Sequence, residues 1–214
     1  MSTAIKARHR IRFNQWAKVY DQSILQRLIF DTSHDMFYTI MIPWLKDESN
    51  ILDVGCGTGK FTLKLQGINS NFKIHGVDLS ETMIKKAKAK VPDGSIDFRL
   101  GDSENLPYES NTFDVITCSN SFHHYPNQRG ALLEMHRVLK DGGKVMIIDG
   151  TRDTWWGNII FSIVEFVEKQ VYHMYGNELK DLLYSAGYAK VHQRMFNFIA
   201  PLLLTVGEAK KEKL

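Results

Sequence analysis

The chain has 214 residues, 43% hydrophobic and 24% charged, with a formal net charge of +3 from 27 basic and 24 acidic side chains. That length suits one domain with a sizeable core, and a charge balance so near neutral gives no reason to expect a nucleic-acid partner. The two cysteines, Cys56 and Cys118, form neither a disulfide framework nor a metal-ligand spacing, so a reducing, cytoplasmic setting is the default.

The charge is uneven along the chain. Residues 1–20 carry Lys6, Arg8, Arg10, Arg12 and Lys18 and no acid. Such a start reads as a solvated or ligand-covering helix, with an organelle transit peptide as the alternative. No apolar h-region follows it, so no secretory signal is expected. The longest uncharged stretch, residues 195–207, runs for about 13 residues, against about 20 for a bilayer span, so no transmembrane segment is expected.

Beyond residue 45 strands and helices alternate. "NILDVG" reads as a buried strand running into glycine, and "TGKFTLKLQG" as a helix with Phe61 and Leu65 on one face, ending at Gly67. "FKIHGVDLS" is a second strand. Ser80 caps "ETMIKKAKAK", a helix with Glu81 in its first turn and lysines later. "SIDFRLGD" and "TFDVITCSN" are the third and fourth strands. "NQRGALLEMHRVLKDGG" is an amphipathic helix stopped by Gly142 and Gly143, and "KVMIIDG" is the fifth strand. After Asp149 the rhythm changes. "DTWWGNIIFSIVEFVEKQVYHMYG" reads as one long aromatic-rich helix, "NELKDLLYSAGY" as a shorter one, "KVHQRMFNFIAPLLLTV" as two antiparallel strands, and "GEAKKEKL" as a frayed charged tail. Apolar strand runs separated by helices indicate a parallel sheet covered on both faces.

In such sheets ligands sit at the carboxyl ends of the strands, and polar residues recur at those ends here. After the first strand come Asp53, Gly55, Cys56, Gly57 and Gly59; at the end of the second is Asp78; after the third, "GDSENLP" with Asp102 and Ser103; after the fourth, "SNSFHHYP"; after the fifth, "DGTRD". The glycines permit a sharp turn and close approach of a ligand, and the helix that follows offers free N–H groups. A carboxylate at the end of the second strand suits ribose hydroxyls, so an adenosine-containing ligand is expected. The dinucleotide pattern G-x-G-x-x-G, counted from Gly55, requires glycine where Lys60 stands. Asp53 would repel a pyrophosphate but suits a cationic group. A P-loop is excluded by its missing G-K-[ST].

The segments "LDVGCGTGKF", "GVDLSETMIKKAK" and "GDSENLPYESNTFDVITCSNSFHHYPNQRGALLEMHRVLKDGGKVMIID", in this order, resemble the class I S-adenosylmethionine-dependent methyltransferases. Within that class they resemble most the small-molecule branch that includes the ubiquinone and menaquinone biosynthesis methyltransferases. The resemblance covers roughly residues 14–150 if the weak N-terminal "WAKVYD" is counted. It implies an α/β, Rossmann-like, doubly wound and mostly parallel seven-stranded sheet with an antiparallel C-terminal strand pair and a helical cap. The expected layout is a single domain over 1–214: N-terminal helical cap 1–45, cofactor-binding core 46–150, helical cap insert 151–176, C-terminal helix and strand pair 177–207, charged tail 208–214.

The resemblance also implies site roles. Asp53, Gly55, Gly57 and Gly59, with Cys56 between them, wrap the methionine portion of S-adenosyl-L-methionine. Asp78 holds the ribose, with Leu79 and Met83 flanking the adenosine. Asp102 faces the adenine amino group and Ser103 lies beside it. Ser119 and Asn120 line the sulfonium end, and Tyr20 lies over the pocket. Plainer roles stand beside these: Asp53 as a loop cap, Asp102 as a turn residue, Cys56 as a small loop residue, Met83 as core.

The implied reaction is methyl transfer to an oxygen, nitrogen or carbon of a small acceptor, leaving S-adenosyl-L-homocysteine. His123 and His124 are the base candidates, because imidazole titrates near neutrality; a paired histidine here is also common in the family without a catalytic role. Arg152, Asp153 and His173 are candidate acceptor contacts. "SNSF" lacks the N/D-P-P-Y motif of the adenine-methylating branch, which argues against adenine bases as acceptors. The aromatic-rich segments before residue 45 and after 153 suggest an apolar or aromatic acceptor, although packing or a subunit contact would use the same composition. A quinone precursor would suit Trp155 and Trp156 at a membrane-facing lip. A non-catalytic S-adenosylmethionine-binding protein is the alternative, the state is monomer or homodimer, and no metal is expected.

Overall fold

Apolar runs build the sheet. In the computed structural model, which describes residues 2–16, 24–168, 170–197 and 200–211, strand β1 spans Asn50–Val54, β2 Lys73–Asp78, β3 Asp97–Leu100, β4 Phe113–Ser119 and β5 Leu139–Gly150. β1 and β4 are buried along nearly their whole length, which is why they read as continuous rather than alternating apolar runs. All five pair in parallel. Strands β6 (Tyr188–Phe196) and β7 (Leu202–Ala209) pair antiparallel, and β7 inserts between β5 and β6. The order across the sheet is β3-β2-β1-β4-β5-β7-β6. This is the expected mostly parallel, seven-stranded, doubly wound plan with its antiparallel C-terminal pair.

Helices cover both faces. On one side α2 (Ile24–Met41), α3 (Lys60–Ile68) and α4 (Glu81–Ala89) bury Phe37, Phe61, Leu65 and Ile84 against Ile51, Phe98 and Ile148. On the other, α5 (Gln128–Val138) and α7 (Gly176–Ser185) bury Leu132, Met135, Leu179 and Leu183 against Ile116 and Ile147. Leu65 and Leu132 are fully enclosed; truncating such a residue to alanine costs about 2–5 kcal/mol. Helices α1 (Ser2–Trp16) and α6 (Trp155–Glu168) lie outside these layers.

Local signals explain most boundaries and miss some. Ser80 caps α4 as expected, its hydroxyl accepting from the Met83 N–H. Helix α3 passes Gly67 and ends at Ile68, followed by extended Asn69. Helix α5 stops at Val138, short of Gly142 and Gly143, because Leu139 is already extended and joins β5 opposite Phe113; the glycines lie in an irregularity of the strand. Strand β7 runs on through Glu208 and Ala209, where a frayed tail was expected. The single long helix expected after Asp153 is corrected to Trp155–Glu168. Gln170 takes φ 63°, which a right-handed helix cannot contain. The segment beyond it is extended, with the Tyr172 N–H donating to the His123 carbonyl (2.8 Å) and the Arg152 N–H to that of Met174 (3.3 Å).

Candidate active site

The turn after β1 sets the floor of the site. Gly55 has φ +77°, and a Cβ there would lie 2.5 Å from Ser121 Oγ. Only glycine takes that backbone and that space without strain. The N–H groups of Gly55 and Cys56 both donate to the Val77 carbonyl (2.8 and 3.1 Å), tying the loop to the end of β2. Gly59 caps α3 in the left-handed region with φ 76°.

A cavity of about 250 Å³ opens above this turn. Along its floor run Gly55, Gly57 and Asp78, with Leu79 and Met83 on one wall. Asp102 and Ser103 stand at one end; Ser119, Asn120, His123 and His124 stand at the other. A smaller cavity, about 40 Å³, shares Gly55 and Ser119 with the first and reaches Asp53, Cys56, Asp31 and His34. The structure thus brings eleven of the expected site residues to one cavity and puts Asp53 and Cys56 at its annex. Gly59 lines neither; it shapes the turn. Tyr20 lies outside the described residues.

Both carboxylates beside the loop are perturbed. Asp78 accepts from the Gly57 N–H (2.9 Å) and the Ser80 N–H (2.8 Å). Burial still outweighs these bonds and pushes its carboxyl up to about 6. Asp53 accepts from the Thr117 hydroxyl (2.8 Å), and burial, with Asp78 nearby, pushes it up to about 7. The Cys56 thiol is buried and held well above its ordinary value, chiefly by burial, which suits a packing residue rather than a nucleophile. Asn120 is held at φ 49° with its N–H on the Ile148 carbonyl (2.7 Å). Asparagine tolerates that left-handed conformation, and it directs the side chain to Ser33 Oγ (3.0 Å) and Ser119 Oγ (3.1 Å).

The two histidines after β4 differ. His123 bonds twice to Asp149 at the end of β5: its N–H donates to Oδ2 (2.8 Å), and its ring Nδ1 meets Oδ1 (2.6 Å). Burial would raise the Asp149 carboxyl, but the imidazole and these bonds hold it below its usual value. An ionised Asp149 accepting from Nδ1–H makes Nε2 the proton-accepting nitrogen of His123. His124 is buried and packs edge-on against His9 and Phe13 of α1; burial drives its pKa well below the ordinary value, and it stays neutral. His173 stacks on His123, rings 4.3 Å apart and 18° from parallel. It too is buried, and burial lowers its pKa to about 3.

His123, Asp149 and His173 offer polar atoms within 4.8 Å of one another. A metal lies in the plane of each imidazole that binds it, and two stacked rings cannot both meet that condition. Asp149 is also committed to three N–H donors, including that of Gly150 (2.8 Å). The geometry suits an oriented Asp–His pair better than a metal centre.

The roof comes from outside the core. Lys6 of α1 pairs with Asp102 (2.6 Å) and Glu104 (3.0 Å), Asn14 accepts from the Ser80 hydroxyl (2.6 Å), and Arg12 pairs with Glu168 of α6 (2.7 Å). Lys6, His9, Phe13 and Glu168 all line the cavity. Sequence reasoning did not assign these residues, nor give Asp149 a role. The acid-free start and the aromatic-rich segment before residue 45 pointed to a covering helix there, not to these particular contacts.

Residues 52–147 match the family described as Methyltransferase domain. Over that segment the chain is similar to the S-adenosylmethionine-dependent methyltransferases, whose fold it shares. Within that class it is similar to the demethylmenaquinone methyltransferase of Lactococcus lactis, 33% identical over 148 residues, covering 66% of this chain and 58% of that one. The chain spans about half the length of the curated relatives it matches. Among solved structures, the Haloferax volcanii complex between the Trm112 methyltransferase activator and a methyltransferase aligns with a TM-score of 0.79 at 20% identity, over 96% of this chain and 99% of that one. An N-methyltransferase of Haemonchus contortus in complex with phosphomonomethylethanolamine and S-adenosylhomocysteine aligns at 0.69 and 16% identity, over 83% and 53%.

Proposed function

We propose that this protein moves the methyl group of S-adenosylmethionine to a small, aromatic acceptor of quinone type in the cytoplasm, with His123 as general base. One observation carries the reading: a single cavity has the Asp78 carboxylate on its floor and the Asp149-oriented imidazole of His123 at one end. The residues fit the cofactor. Each Asp78 oxygen keeps a lone pair beyond its backbone donor, as two ribose hydroxyls require. Asp53 is a buried acid near a second acid, an arrangement that a cationic ligand group relieves.

When bound, S-adenosylmethionine supplies a methyl group activated on a sulfonium. Gly55, Gly57 and Asp53 would hold the amino-acid end, and Asp78 would hold the ribose. Leu79 and Met83 would flank the adenine, and Asp102 and Ser103 would meet its polar edge. Ser119 and Asn120, which line the cavity with His123, would contact the sulfonium end. A hydroquinone acceptor becomes a better carbon nucleophile once its hydroxyl loses a proton; His123 Nε2 takes that proton, Asp149 stabilises the imidazolium formed, and the proton on the methylated ring carbon then leaves as the imidazolium returns its own to the oxygen. His124 and Phe13 exclude water from this end, which strengthens the pairing. The similarity to demethylmenaquinone methyltransferases favours the quinone class.

The test is S-adenosylhomocysteine release with a short-chain demethylmenaquinol, alongside cofactor binding by thermal shift. Wild type turns over and is stabilised by S-adenosylmethionine; Asp78→Ala loses the stabilisation, and His123→Ala keeps it while losing turnover by about 10²–10⁴-fold. Undiminished turnover in His123→Ala would sink the assignment of the base.

A further inference from the structure

Helix α6 wears its apolar face outward. Trp155 is 75% exposed, Ile163 58%, Phe166 83% and Val167 72%, with Ile159 exposed between them. Their spacing puts all five on one stripe of the helix, about 18 Å long at 1.5 Å per residue. Monomeric proteins rarely leave a contiguous apolar patch of this kind uncovered. The stripe carries no charge. The two acids of α6 are withdrawn into pairs, Glu165 with Arg152 (3.6 Å) and Glu168 with Arg12 (2.7 Å).

Beside it lies the acid-free helix α1. Its cavity-facing side carries Lys6, His9 and Phe13. Its outward residues include Arg8, Arg10 and Ile11, all exposed. The two helices are joined by the Arg12–Glu168 pair, and the residues next to it in sequence, Ile11 on one helix and Phe166 and Val167 on the other, are exposed. Both helices also border the cavity mouth, through Phe13 and Glu168.

We propose that the outward faces of α1 and α6 form one lipid-docking surface, which rests on an anionic bilayer and receives a lipid-borne acceptor at the cavity. The clause about the acceptor rests on the quinone reading above; the docking itself rests on the patch. An apolar stripe with aromatic residues, bordered by arginines and lacking net acid, is the chemistry of an interfacial helix. No helix among the described residues is long and apolar enough to cross a membrane, so the contact is peripheral. An anionic bilayer complements both the apolar stripe and the arginines of α1, which is why it, and not a second copy of this chain, is the occupant proposed.

The experiment is flotation of the purified full chain with vesicles of phosphatidylcholine alone and of phosphatidylcholine with 30% phosphatidylglycerol. The expected result is at least tenfold greater recovery with the anionic vesicles. Arg8→Glu with Arg10→Glu should lower it by about fivefold or more per residue, and Ile163→Ser with Phe166→Ser should abolish it. All variants should keep wild-type melting and cofactor binding. Absence of flotation by wild type, or flotation unchanged in the apolar variant, overturns the proposal. So does light scattering that finds a dimer which Ile163→Ser with Phe166→Ser splits while flotation persists. Turnover of the short-chain acceptor without vesicles tests the quinone reading separately: if that turnover is absent while flotation behaves as expected, the acceptor reading fails and the docking surface stands.

Discussion

Asp149→Asn is the sharpest probe of the chemistry. The native carboxylate accepts three N–H donors: the His123 backbone at 2.8 Å, its ring Nδ1 at 2.6 Å and the Gly150 backbone at 2.8 Å. Asparagine offers one oxygen and one NH₂, so at least one donor meets another donor. A hydrogen bond to a charged group contributes about 1.5–3 kcal/mol; a loss of about 2 kcal/mol lowers the melting temperature of a domain this size by about 4–8 °C. The larger effect is on rate. Without the ionised carboxylate, His123 is free to flip tautomer, and part of the 10²–10⁴-fold of a general base is lost. S-adenosylhomocysteine release should fall by about 10²-fold, while the cofactor dissociation constant changes by less than about threefold, because Asp149 does not line the main cavity. In the His123→Ala background the substitution should add almost nothing, since the two act as a unit. Asp149→Asn turning over within threefold of wild type, or losses that multiply independently, would refute the dyad.

Cofactor affinity should rise with pH between about 5.5 and 7.5 and then level off. Asp78 and Asp53 titrate near 6 and 7 because burial raises both, and the ionised forms bind the cationic, diol-bearing ligand; calorimetry in two buffers should detect proton release, and a pH-independent affinity would rule this out. Gly55→Ala places a Cβ 2.5 Å from Ser121 Oγ at φ +77°, and left-handed strain of about 1–2 kcal/mol plus the clash should lower the melting temperature by at least about 4 °C; an unchanged melt would show that the turn relaxes. Arg12→Ala removes a part-exposed ion pair that contributes about 1 kcal/mol at most. Its melt should move by less than about 4 °C, while stopped-flow should find faster cofactor release; unchanged release would show that α1 does not retain the ligand.

Much of the site was legible because its residues follow strands whose apolar runs are self-announcing. Asp78 closes β2, while Asp102 and His123 lie two and four residues beyond β3 and β4, so the strand ends located them and the resemblance supplied their roles. What stayed hidden was pairing across the sequence. Asp149 meets His123 across 26 positions and Lys6 meets Asp102 across 96, and no local propensity encodes either contact. The end of α6 was hidden for another reason. No glycine or proline breaks that helix; Gln170 turns left-handed where the following backbone bonds to the His123 loop, a tertiary override of local preference. Likewise Gly142 and Gly143 read as a helix stop, yet β5 has already begun at Leu139.

The position of β7 has a consequence for how the molecule comes into being. Of the seven strands it is made last, yet it occupies an inner place, with β5 on one side and β6 on the other. Until it emerges from the ribosome, β5 presents an unpaired edge from Lys144 to Gly150, a template for unwanted association. Vectorial synthesis therefore cannot finish this sheet progressively; the final strand must slot between two that are already waiting. A truncation before Leu202 would remove an interior seam of the sheet, and the nascent protein remains a client for chaperones until that seam is closed.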